Sequence, residues 1–153
     1  MKTFFLKLAV IVTLFIIQGC GKEDILSGII VQELDMSQCF PPFSRDETNE
    51  YIIESDSAYQ HLLSYQTPLC DNYSLPNIDF SEHSLLGIYT TSCDKVKYYE
   101  REVIRDDEQM KYIYNIDIHC KSSNNKKTTI SMNWVLVSAL QTGYTVEFNV
   151  AED

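Results

Sequence analysis

Positive charge is what this chain has least of. Twelve lysines and arginines stand against 22 aspartates and glutamates, a formal net charge of −10 at pH 7. A nucleic-acid groove, or a surface that adheres to anionic lipid, needs clustered cations, so the composition argues against both partners. Glycine and proline are sparse, at five and four residues, and neither a Gly-rich phosphate loop nor a low-complexity linker appears. G-x-S-x-G, H-E-x-x-H and any carboxylate pair at readable spacing are missing too, so no enzyme is expected. No two cysteines stand close enough for a C-x-x-C knuckle, which leaves no metal or other cofactor to expect. The apolar run LAVIVTLFII, Leu8 to Ile17, has ten residues. Spanning a bilayer takes about 20.

What the chain does have begins at that run. Lys2 and Lys7 precede it as a short positive n-region, and Ile17-Gln18-Gly19-Cys20 closes it. The closing segment resembles the lipobox of bacterial lipoproteins: an aliphatic residue, a tolerant position, a small residue and a cysteine. The resemblance implies cleavage after Gly19 and acylation of Cys20, with the membrane contact made by the acyl chains. Each buried methylene is worth ~0.8 kcal/mol, so two or three chains hold a protein far better than one. The charges directly behind, Lys22, Glu23 and Asp24, resemble the sorting signal of Bacteroidota-type surface lipoproteins. They imply an outer-membrane protein facing the cell exterior; the alternative is a solvated tether on a periplasm-facing lipoprotein. The expected organisation is a signal peptide over 1–19, a lipidated tether over 20–28 and a single α+β domain over 29–153. Removing the signal leaves 134 of the 153 residues and takes the formal charge to −12, enough chain for one proper core.

With Cys20 assigned, Cys39, Cys70, Cys93 and Cys120 remain, an even number in an exported chain and therefore two disulfides. Spacing alone allows three pairings.

The element pattern narrows the choice. IIVQEL (29–34) and YII (51–53) read as short strands, and ESDSAYQHLLSY as a helix with Ser55 or Asp56 as cap and Ala58, Tyr59, Leu62 and Leu63 on its apolar face. From Leu85 onward the period becomes two. Tyr112, Tyr114, Ile116 and Ile118 alternate with Ile113, Asn115, Asp117 and His119; Met132, Trp134 and Leu136 with Ser131 and Asn133; Val146, Phe148 and Val150 with Glu147 and Asn149. With 85–91 and 96–104 added, the pattern predicts a five-stranded antiparallel meander covered by the one helix. In a meander the ends of strands 85–91 and 111–119 reach the same sheet edge two strands apart, about 9–10 Å at ~4.8 Å spacing. Inward bending of the flanking loops would then pair Cys93 with Cys120, leaving Cys39 with Cys70 to staple the two irregular stretches.

Remaining chemistry is thin. His119 and Cys120 are strand neighbours and point to opposite faces, which rules against a nucleophilic dyad. Asp106-Asp107-Glu108 lacks the alternating oxygen spacing of a calcium loop and reads as a hairpin turn. Trp134 falls on an apolar stripe and belongs to the core, leaving Tyr73 and Tyr99 as candidate exposed aromatics. Asp56-Ser57-Ala58 resembles the Asp-Ser/Thr-apolar acceptor of Bacteroidota-type O-glycosylation, and also reads as a helix start.

EYIIESDSAYQHLLSY, PNIDFSEHSLLGIYT with its Asp79-Phe80-Ser81 step, and the terminal GYTVEFNV follow an order similar to small lipoproteins with a protease-complex-subunit (PrcB-like) C-terminal domain. The similarity covers about 100 residues and implies a non-catalytic domain that binds and steadies a partner protein. A glycan-binding accessory lipoprotein of a nutrient-uptake system is the alternative expectation.

Overall fold

The computed structural model describes residues 24–36, 39, 50–64, 75–121 and 128–153. The strands are β1 (Ile25–Gly28), β2 (Ile30–Leu34), β3 (Glu50–Ile53), β4 (His83–Ser92), β5 (Val96–Asp106), β6 (Lys111–Cys120), β7 (Thr129–Ser138) and β8 (Thr145–Glu152), and the helix is α1 (Asp56–Leu63). The α+β class holds, with strands dominant and one helix.

The pairing is not a meander. The strands form two four-stranded sheets, one in the order β1-β5-β6-β8 and the other β2-β7-β4-β3. Of the five predicted meander strands, only β5 and β6 pair with their chain neighbour as expected. β4 pairs instead with β7 and β3, and β8 lies parallel to β6. The reason is coverage. An eight-residue helix cannot shield five strands of eight to eleven residues, so the chain after β4 crosses within three residues to begin a second sheet that covers the first.

Three layers result. Between the sheets pack Leu86, Ile88, Val135 and Val137 from one side and Val103, Tyr112, Tyr114, Ile116 and Ile118 from the other. On the far face of the β4–β7 sheet, Leu85 and Trp134 meet Tyr59 and Leu62 of α1, with Leu34, Ile53 and Ile78. Ser55 caps α1, its hydroxyl accepting from the Ala58 N–H at 3.3 Å. Trp134 is core as expected, and it lies over Gly87, its partner across β4 and β7. A Cβ there would fall 2.3 Å from the indole ring.

The segment expected as the end of a tether is part of the fold. β1 runs parallel to β5 from Ile25↔Glu100 to Gly28↔Val103. Gly28 then turns the chain to the other sheet at φ 72°, so close to the Val103 carbonyl that a Cβ would sit 2.0 Å from its oxygen. Only glycine combines that φ with that approach.

Candidate functional site

Between the sheets a cationic side chain is buried in a polar junction. Arg101 of β5 is only 3% exposed. Its Nη1 lies 2.8 Å from Asp24 Oδ2 and its Nη2 3.1 Å from Glu33 Oε1. Nε and Nη2 both donate to Asn133 Oδ1, at 3.2 and 2.8 Å. Asn133 in turn donates to Thr90 Oγ1 at 2.9 Å, and Ser131 Oγ lies 3.0 Å from both Thr90 Oγ1 and the Tyr99 hydroxyl. A guanidinium this buried needs its charge compensated and its donors filled, and four strands, β2, β4, β5 and β7, together with Asp24 just before β1, contribute to doing so. Burial holds the Glu33 carboxyl above the usual glutamate value, against the pull of Arg101 and with Asp24 and Asp35 adding to it.

This junction corrects one expectation. The polar stripe of β7 faces the other sheet, and Tyr99 is no free aromatic: its ring packs under the Arg101 guanidinium at 4.4 Å, and its hydroxyl is engaged. Tyr73 lies outside the described residues.

Asp24, expected as a sorting charge, is used by the fold. Its Oδ1 accepts the Tyr99 backbone N–H at 2.8 Å while Oδ2 pairs with Arg101. Cys20, Lys22 and Glu23 lie outside the described residues.

The outward face of the β5–β6 sheet carries a different surface. Two rows run across the strands, Ser27-Glu102-Asn115-Asn149 and Ile25-Glu100-Asp117-Ala151. They line a cleft of about 390 Å³. Glu100 faces His119 Nε2 at 3.5 Å, and His119 Nδ1 lies 2.6 Å from Asp153 Oδ2. The imidazole bond, with the Cys120 N–H behind it, holds the Asp153 carboxyl below the usual aspartate value. The His119 ring also stacks on Tyr98 at 4.3 Å between centroids. No aromatic side chain is among the described residues lining the cleft.

Cys93 and Cys120 are bonded, with Cα atoms 6.2 Å apart. The expected pair forms, by a different route: Cys93 lies in the crossing from β4 to the other sheet, where Val96 pairs with Cys120. The bridge therefore closes a corner between sheets rather than two strands of one. Glu152 approaches both sulfurs, but sulfurs bonded to each other are not thiolate ligands. Cys39 is buried and disulfide-bonded; Cys70, its expected partner, lies outside the described residues. The acidic hairpin turn forms as expected: Asp106 Oδ1 accepts the Gln109 N–H at 2.9 Å, and Asp107 holds Arg105 and the Tyr144 hydroxyl. Ser57 is exposed in the first turn of α1.

Among the described residues no helix is long and apolar enough to cross a membrane. No family model, curated protein or solved structure matches the chain.

Proposed function

We propose that the protein is a lipid-anchored, cell-surface lipoprotein of the outer membrane, acylated at Cys20, whose non-catalytic domain binds or stabilises a protein partner through the outward face of the β5–β6 sheet. The observation carrying this reading is the cleft between Glu100, Glu102, Asn115, Asp117 and Asn149. It is a broad polar face on regular strands, held rigid by the core behind it. A glycan site of this size would be expected to offer an aromatic platform, and none of the described residues lining the cleft supplies one; the protein reading is therefore preferred over the glycan one. The PrcB-like resemblance points the same way. From Cys20 to Asp24 the chain reaches at most about 14 Å, so the face works close to the membrane surface.

A photo-crosslinking residue at Asn115 in living cells tests this. A discrete protein adduct, absent when the label sits at Gln60 on α1, is the expected result. Absence of any protein adduct from Asn115 would sink the reading.

A further inference from the structure

We propose that the free edge of β8 is a docking strand, to which an extended, cationic segment of the partner adds as a fifth strand of the β1-β5-β6-β8 sheet. This deepens the protein-partner reading and rests on it.

Among the described residues β8 ends its sheet, bonded only to β6. Its register runs unbroken from Lys111↔Thr145 to Ile118↔Glu152. The N–H groups of Thr145 and Asp153 donate to Met110 and Ile118 carbonyls. Along an unbroken parallel ladder, a residue's N–H and C=O point to one side and alternate between neighbours. Odd-numbered residues of β8 therefore bond β6, and Val146, Phe148, Val150 and Glu152 aim their main-chain groups away from the sheet. Among the described residues nothing pairs with them.

Soluble proteins protect such edges by shortness, bulges, prolines or lysines. The edges at β1 and β3 are four residues long and β2 is broken in register. β8 has eight residues, no proline, no lysine and no bulge. Strand addition uses this kind of edge, main-chain bonds supplying affinity.

Charge selects the occupant. Residues 145–153 hold no basic residue and three acids: Glu147, paired with Lys111 of β6, Glu152, which accepts the Cys93 N–H, and Asp153, paired with His119; Glu100 and Asp117 add further negative charge on the outward face. A second copy would set this acidic strand against itself in a chain of formal charge −10. A lysine- or arginine-bearing segment meets no such repulsion.

The test uses the full-length chain in detergent and two short probes, one alternating lysine with valine and one alternating glutamate with valine. The lysine probe should bind saturably by fluorescence anisotropy and slow hydrogen exchange at the Val146, Phe148 and Val150 amides; the glutamate probe should not. Val150→Pro deletes an outward N–H without touching the β6 ladder and should weaken binding about ten-fold or more, roughly the worth of a lost main-chain bond. Val150→Thr keeps the N–H and should bind as the wild type does, and unchanged exchange protection at the β6-bonded Thr145, Glu147 and Asn149 amides of Val150→Pro separates a blocked edge from a damaged strand. Equal binding of both probes, binding with no protection at these amides, or no binding of the lysine probe overturns the proposal. So does a wild-type dimer in sedimentation that Val150→Pro dissolves, since the occupant is then a second copy. If the Asn115 crosslink to a protein persists in Val150→Pro, the edge proposal falls and the partner reading stands; loss of every adduct from the wild type removes the partner reading itself.

Discussion

Asp24 clasps two successive features of β5: one carboxylate oxygen takes the Tyr99 N–H at 2.8 Å and the other meets the Arg101 guanidinium at 2.8 Å. A residue that looks like an address label is thus a counter-ion of a buried cation. Asp24→Ala should destabilise the protein by ~2–3 kcal/mol in urea denaturation, the scale for a charged hydrogen bond removed from a buried group. Lys22→Ala and Glu23→Ala should change stability little. Comparable stability of all three variants would remove the clasp.

That difference sharpens the test of sorting. A variant with Lys22 and Glu23 changed to alanine keeps the clasp, and external protease on intact cells should spare it while cleaving the wild type. Metabolic labelling with a fatty acid should mark the wild type and not Cys20→Ala. Protease protection of the wild type would end the surface assignment, and equal labelling the lipobox one.

The Cys93–Cys120 bridge closes a separation of 27 residues, worth ~3–4 kcal/mol in the chain-entropy model. The Cys93→Ala/Cys120→Ala double variant should lose stability on that scale. Non-reducing peptide mapping should return the 93–120 crosslink; a 39–93 or 70–120 species would refute it.

Gly87→Ala forces a methyl against the Trp134 ring, at a cost of about 1–3 kcal/mol for an overpacked core. Trp134 is the sole tryptophan, so its emission reports the site directly. An unchanged spectrum and midpoint would mean that the ring moves aside freely.

Acid should unfold the protein through its outward-facing carboxylates. Asp153, Asp107 and Asp79 all sit below the usual aspartate value of 3.8, held there first by His119, Tyr144 and Ser81 respectively. A lowered pKa in the folded chain adds stability above the unfolded value, and that stability is lost as pH falls below it. Glu33 is raised and works in the opposite sense, its contribution being present at low pH and lost on the alkaline side of 4.5. Thermal melts from pH 7 to pH 2 should therefore fall most steeply below about pH 4, and Asp153→Asn should flatten that limb. Identical slopes would count against the His119–Asp153 bond.

Alternation made the strands and the helix legible, together with the faces of β6 and β8, because burial on one side writes a period of two into the sequence. Pairing is not written that way. The informative signals were the places where alternation fails: Ser84 to Ile88 and Asn133 to Val135 are buried without a break, as strands packed on both faces must be. Those runs mark β4 and β7 as the middle layer. The Arg101 junction leaves no such mark in the sequence. Asp24, Glu33, Thr90, Arg101 and Asn133 are spread through the chain as ordinary surface-type residues, and only the stacking of the sheets gives them a common interior.

The placement of β1 also determines how the molecule bears load. With an acyl anchor at Cys20, any pull on the domain enters at Asp24, where β1 begins. Because β1 lies alongside β5, a tug along its axis strains the ladder bonds together rather than peeling them singly, and the Asp24–Arg101 pair is the first to resist. β8 is at the opposite margin of the same sheet. Tension between the membrane and a partner held there would cross β5 and β6, joined over ten paired positions, and leave the helix-covered layer slack.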